Sequence, residues 1–388
     1  MSLQTVVGRF RLNYLHDARR EGLVNAKFLT QTLTGVQRYA LELTEALDNL
    51  IDQGKVDDTL GLRLVGPRGV QRHGLALKHI PITPVGRLRG ELWTQVELSY
   101  HAKGKLLWSP GNTGPIYHDK HVVTIHDASV LDHPEWFSRK FAMWYRFLLP
   151  RLARHAAHIL TVSEFSRRRL SETLALDPER ISVVPRPISW RFRPVESATI
   201  ERVLKRLNLP HNYVLSLGTL EPRKNISRLL DAWSLLLEQK AVPEDVHLVV
   251  IGGKNSLFQD VSLTTLPDKV SFTGYVSDED LPALYAGALA FAYPSLYEGF
   301  GSPPLEAMAC GTPVVTSYST AIPEVVGTAA LLVDPLDVES IAHGVELSLE
   351  NSSFRETLRR AGLERAKLFT WDNSAQLVWN TLTRVAAS

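Results

Sequence analysis

Two glutamates, Glu298 and Glu306, bracket the run Gly299-Phe300-Gly301-Ser302-Pro303-Pro304-Leu305, which joins an apolar strand to a helix. Ser302 reads as the helix N-cap and Pro303 as its first helical residue. The backbone N–H groups of the loop and the positive end of the helix then form a site for an anion such as a phosphate. The capping-box position is Leu305, so Glu306 is one residue too late to serve as a cap. Arg223 and Lys224 follow another strand end and open a helix, where positive charge opposes the helix dipole. That misfit is understandable if the two cations have an anion to neutralise. His126 closes a third apolar run just before Asp127, and an imidazole at the carboxyl edge of a sheet can hydrogen-bond a substrate or move a proton. Each feature has a plainer alternative: a tight strand–helix turn with surface carboxylates, basic residues at a helix start, a core histidine.

The elements that must position these residues follow from hydrophobic periodicity. In the second half, strands are predicted at 213–218, 246–253, 270–276, 288–295, 313–317 and 330–333. Helices are predicted at 225–238, from Ser277 with Asp278-Glu279-Asp280 in its first turn, and at 303–310 ending at Gly311. Alternation of this kind is the mark of a doubly wound parallel sheet. The first half repeats it with strands at 9–16, 62–66, 106–109, 122–126 and 159–162, and helices at 35–52, 91–102, 138–158 and 165–174. The fold class expected is α/β, with two Rossmann-like domains joined through the proline-punctuated stretch from Val184 to Pro194. Ligands of such sheets gather at the carboxyl ends of the strands, here in the cleft between domains.

The chain has 388 residues, 44% of them hydrophobic, enough for two domains with substantial cores. A net charge of +2 speaks against a nucleic-acid binder that relies on many phosphate contacts. The charge is uneven: residues 1–187 hold 26 Lys/Arg and 18 Asp/Glu, leaving 43 − 26 = 17 and 41 − 18 = 23 for the remainder. The basic half reads either as solvated helix faces or as a contact for an anionic membrane surface, with Arg146, Arg151 and Arg154 on an aromatic-rich stretch and Arg167-Arg168-Arg169 beyond it. The lone Cys310 excludes a disulfide framework and thiolate metal cluster. No apolar run reaches the roughly 20 residues a bilayer span needs, and the N-terminus lacks a signal pattern. A cytoplasmic protein, soluble or peripheral, is expected.

The stretch PSLYEGFGSPPLEAMACGTPVV, residues 294–315, resembles the Glu-x7-Glu signature of family 4 retaining glycosyltransferases of GT-B fold. The resemblance covers 210–340. Gly218-Thr219-Leu220-Glu221-Pro222-Arg223-Lys224-Asn225 is similar to the donor-diphosphate loop, and Thr273-Gly274-Tyr275 through Tyr285 to the base-binding segment. In the first half, Thr34-Gly35-Val36-Gln37 resembles the family's glycine loop, while Ile125-His126-Asp127 and Pro134-Glu135-Trp136-Phe137-Ser138 resemble a mannosyltransferase-like branch.

The resemblance implies a nucleotide-diphosphate sugar donor, with GDP-mannose the best guess, and a glycan or lipid-linked oligosaccharide acceptor used in cell-surface polysaccharide biosynthesis. It implies no cofactor and no metal. Lys224 and Arg223 would stabilise the leaving diphosphate, Glu298 and His126 would meet the transferred sugar, and Glu306 would accept the ribose hydroxyls. Phe300, Gly301 and Ser302 would offer backbone groups, Gly35 and Gly218 close approach, and Tyr275 and Val276 contacts to the base. Residues 1–187 would bind acceptor and 188–369 the donor, with a helix at about 370–388 crossing back to the first domain. Three departures stand out: Thr219 where many members have arginine, Arg186-Pro187 where Asn-Gly is frequent, and an unusually long segment at 17–33 that would join the acceptor site. A nucleotide-sugar epimerase or phosphorylase of the same fold would use the same groups but release free sugar or its phosphate.

Overall fold

A computed structural model describes residues 20–57, 59–70, 74–218, 221–252 and 267–388. The strand expected at 9–16 lies outside them. Seven parallel strands, β1 (Arg20–Asn25), β2 (Leu60–Gly66), β3 (Ile82–Pro84), β4 (Leu106–Ser109), β5 (His121–Thr124), β6 (His158–Thr161) and β7 (Ile181–Val183), form one sheet in the order β3-β2-β1-β4-β5-β6-β7. Six more, β8 (Asn212–Leu217), β9 (Val246–Ile251), β10 (Val270–Gly274), β11 (Ala290–Tyr293), β12 (Val314–Ser317) and β13 (Leu331–Val333), form the second, in the order β10-β9-β8-β11-β12-β13. Both are doubly wound, with the strand order reversing next to the first strand of each sheet.

The segment at 17–33 is therefore not simply a long loop. Its residues 20–25 are β1, hydrogen-bonded between β2 and β4. Gly22 belongs there because a Cβ would sit 2.8 Å from the Leu62 side chain. The Gly35–Asp52 helix follows, with Gln37 Oε1 accepting from the Thr34 backbone N–H at 3.3 Å and Tyr39, Leu43, Leu47 and Leu50 buried along one stripe. The helix expected from Ser277 starts later: residues 278–280 form a turn with Asp280 at the N-cap of Leu281–Gly287, and Asp278 pairs with Arg38 and Asp280 with Arg206.

Residues 184–196 connect the sheets without regular structure. The Trp371–Ala387 helix returns to the first sheet, burying Val378 and Leu382 beside the Gly35–Asp52 helix; such side chains contribute about 1.5–3 kcal/mol each. Trp371 Nε1 donates to the Ile188 carbonyl at 3.1 Å and Ser374 Oγ to the Pro185 carbonyl at 2.8 Å, tying this helix to the connector.

Three buried imidazoles give the fold a pH signature. Burial, aided by neighbouring His118, Arg186 and Arg384 respectively, pushes His121 and His126 down to about 3 and His158 to about 4. The unfolded chain therefore takes up these protons first. Stability is fully present above about pH 6.5 and falls as pH drops towards 4 and 3, by up to about 2 kcal/mol per histidine at pH 5. Glu42 and Glu306, raised by burial, offset part of this. The melting temperature should be highest near pH 7–8 and several degrees lower at pH 5; equal values at both would show that these rings are solvated.

Candidate active site

The loop after β11 carries the densest polar cluster. Glu298 is buried, and its Oε1 accepts from Lys224 Nζ at 2.7 Å, Tyr293 OH at 2.7 Å, Ser295 Oγ at 2.8 Å and Arg223 Nη1 at 3.1 Å. Lys224 also donates to the Tyr293 hydroxyl. Arg223 Nη2 lies 2.8 Å from Glu221 Oε1 and Lys224 Nζ 4.0 Å from the same oxygen, so two cations and two carboxylates are packed together. Although burial alone would raise it, the Lys224 and Arg223 charges hold the Glu298 carboxyl at about 2. Burial, with Arg223 beside it, pulls Lys224 down from the usual lysine value.

This geometry has a local cause. Pro222–Lys224 is a single 3-10 turn ending at Asn225 in left-handed conformation, whose side-chain amide donates to the Pro294 and Pro335 carbonyls at 2.9 and 2.6 Å. Gly218 lets the lysine stem pass, since a Cβ would lie 2.9 Å from Lys224 Cγ. Thr219 and Leu220 lie outside the described residues.

The helix beyond the loop runs Ser302–Ala309, one residue earlier than its sequence suggests. Gly301, at φ 98°, takes the N-cap position, and Ser302 is the first helical residue. A glycine reaches this backbone conformation without strain, whereas serine does not. No side chain caps this end, and because Pro303 and Pro304 carry no N–H, the backbone donors of its first turn are few and the dipole supplies most of its pull on an anion. Phe300 turns its ring away, edge-on to Phe369. One turn in, Glu306 Oε2 accepts from Tyr285 OH at 3.2 Å; burial shifts Glu306 up, against the pull of Arg186 and Arg38. Glu298 and Glu306 thus serve different surroundings. In the segment that follows β10, Val276 is buried while Tyr275 is 85% exposed.

The first sheet faces this loop at close range. The Gly299 carbonyl accepts from Ser163 Oγ at 2.6 Å and Ser166 Oγ at 3.0 Å, and a Cβ on Gly299 would be 2.7 Å from Asp127 Cβ. Tyr297 OH donates to Asp132 at 3.1 Å, and its ring packs edge-on to His133, Trp136 and Phe165. His126 emerges beside this contact. Its ring stands perpendicular to Tyr39 at 4.9 Å, its backbone N–H donates to Asn112 Oδ1 at 2.9 Å, and its buried Nε2 has no hydrogen-bond partner. Gly35 lies where a Cβ would come 3.1 Å from Arg186 Nη1.

Sequence reasoning missed several members of this arrangement. Tyr293 and Ser295 were legible in principle, being the strand end that delivers Glu298. Arg38 follows Gly35 by one helical turn, the spacing that brings it to the same edge. Arg186 gave no pattern, yet its charge bears on His126, Glu42 and Glu306. Asp278 and Asp280 are held by arginines, and among the described residues no group of three His, Cys, Asp or Glu side chains is placed to hold a metal ion.

Two doubly wound sheets meeting at their carboxyl edges, with buried cations and an uncapped helix between them, define a GT-B glycosyltransferase. Residues 62–189 match the family Glycosyltransferase Family 4, and residues 199–365 match Glycosyl transferases group 1. The O-antigen chain mannosyltransferase B of Escherichia coli is 35% identical over 360 residues, covering 88% of this chain and 93% of that protein. The O-antigen chain mannosyltransferase RfbU of Salmonella typhimurium is 29% identical over 381 residues, covering 93% and 99%. Sucrose-phosphate synthase from Thermosynechococcus elongatus shares the fold, with a TM-score of 0.69 at 20% identity over 95% of this chain and 100% of that one. The chain belongs to the family 4, group 1 glycosyltransferases, on their mannosyltransferase branch.

Proposed function

We propose that this glycosyltransferase moves mannose from GDP-mannose to an acceptor hydroxyl with retention of configuration and without a metal ion. The observation that carries the reading is the buried Lys224–Glu298–Arg223 cluster beside the uncapped Ser302–Ala309 helix. Fixed positive charge and aligned backbone dipoles there favour the diphosphate as negative charge develops on it. The bond from the sugar C1 to the phosphate oxygen breaks, the acceptor oxygen bonds to C1 on the same face, and the acceptor's proton passes to a donor phosphate oxygen. His126 is neutral at working pH, so its unpartnered Nε2 suits a hydroxyl of the donor sugar. Glu306 takes the ribose hydroxyls, while Gly35, Gly301 and Ser302 allow backbone contact with phosphate and sugar, and Tyr275 and Val276 border the base.

The mannosyltransferase relatives support mannose as the sugar. The IHD and PEWFS segments add less than their sequence suggests, since Asp127 and Trp136 pack on Gly299 and Tyr297. Residues 188–369 bind the donor and residues 1–187 the acceptor, a lipid-linked oligosaccharide of cell-surface polysaccharide synthesis at the cytoplasmic membrane face. A thermal-shift comparison of GDP, UDP, ADP and TDP sugars tests the donor: GDP-mannose at 100 times its Kd should stabilise by about 2.7 kcal/mol. A larger shift with a UDP sugar would overturn the base assignment. Glu306→Ala should raise the donor KM about tenfold or more, with folding intact; an unchanged KM would remove Glu306 from the ribose.

A further inference from the structure

One layer of helices covers the face of the first sheet opposite the Trp371–Ala387 helix. Its first member runs through Gly90–Leu92, Trp93–Leu98 and Ser99–Ala102, and packs Trp93, Leu98 and Ala102 on Leu107 of β4. Its second, Arg139–His155, packs Ala142, Leu149 and Leu152 on Val123 of β5. Leu107 pairs in register with His121, two residues before Val123, so both helices lie on one face of the sheet. They are neighbours, since the strands they cover, β4 and β5, pair side by side.

The outer surface of this layer is apolar where an ordinary helix face is polar. Leu92, Val96 and Tyr100 recur every fourth residue on the first helix, Met143 and Phe147 do so on the second, and Tyr117 stands against His155; all are exposed, Tyr100 by 78% and Met143 by 71%. Around them, residues 87–103 and 139–155 hold eight Lys/Arg and two Asp/Glu. Both acids are already engaged: Glu91 pairs with Lys27, and Glu97 accepts from the Arg87 and Leu88 backbone N–H groups at 2.8 and 2.9 Å. The Arg151 guanidinium stacks over the Phe147 ring, 3.8 Å from its centroid, and donates to the Phe147 carbonyl at 2.8 Å, which places a cation directly on the apolar stripe.

We propose that this face docks on an anionic lipid bilayer, the Leu92–Val96–Tyr100 and Met143–Phe147 stripes entering the interface and the surrounding cations meeting the headgroups. No helix among the described residues is long and apolar enough to cross a membrane, so this attachment is peripheral. It deepens the lipid-linked acceptor reading, because it brings the domain assigned to the acceptor to the surface that holds it.

The test is co-sedimentation of the full chain with phosphatidylglycerol/phosphatidylethanolamine vesicles and with phosphatidylcholine vesicles. It needs neither donor nor acceptor, so its failure would leave the transferase reading intact. Binding should be about tenfold or more stronger on the anionic vesicles and should fade in about 0.5 M salt, where screening shortens to a few Å. Tyr100→Ser/Phe147→Ser should weaken it about tenfold, with melting temperature and transfer to a water-soluble acceptor unchanged; Arg139→Glu/Lys140→Glu should do the same through charge. Equal binding to both vesicle types, or variants that bind like the parent, would overturn the proposal. So would a concentration-dependent dimer abolished by Tyr100→Ser/Phe147→Ser, which would make a second copy the occupant.

Discussion

Lys224→Ala is expected to lower kcat by about 10²–10³-fold while leaving the fold intact, the range for losing one preorganised charge donor at a developing anion. The structure explains why the fold should survive: Glu298 keeps Arg223, Tyr293 and Ser295 as partners when the lysine is gone. What disappears is the cation that burial has stripped of water, and which is therefore worth more to a departing diphosphate than a surface lysine would be. Saturating-donor kinetics with a parallel melting curve decide the matter. A kcat within threefold of the parent would place the leaving group elsewhere.

Glu298→Ala should act on stability first. It removes the acceptor shared by four donors and leaves buried Lys224 and half-buried Arg223 beside Glu221, with the Asp127 charge also acting on the arginine. Breaking a buried pair from one side costs about 3–5 kcal/mol, because the abandoned charge cannot regain its hydration. Denaturant unfolding of the alanine and glutamine variants reads this directly. The glutamine should recover part of the loss by keeping the Tyr293 and Ser295 hydroxyls bonded. An alanine variant within about 1 kcal/mol of the parent would mean that water already reaches the cluster. A glutamate read from sequence as a sugar contact is thus also the counterion that holds the two cations in place.

Legibility followed the range of the forces involved. The Gly35–Asp52 helix was readable to the residue, since its Thr34/Gln37 start and its buried stripe are local. β1 was not, because Arg20 and Glu21 precede only a short apolar stretch, and a strand covered on both faces shows no alternation. β3 is three residues at a sheet edge and left no pattern. The Asp278-Glu279-Asp280 turn misled because acids suit a helix start on dipole grounds, whereas two of them answer arginines 240 and 74 positions away. In the sequence, Lys224, Arg223, Glu298 and His126 were singled out by type and strand-end position, and Glu306 by its place one turn into the following helix. Arg38, Arg186 and Ser163 were not, since their relevance comes from the opposing sheet.

The polypeptide passes between the two lobes twice, at the connector and again just before Trp371, and the Trp371–Ile188 hydrogen bond pins the crossings side by side. Two adjacent tethers resist sliding of one lobe along the other more than rotation about the crossings. Any rotation about them would first have to break the hydrogen bonds that Ser163 and Ser166 donate to the Gly299 carbonyl.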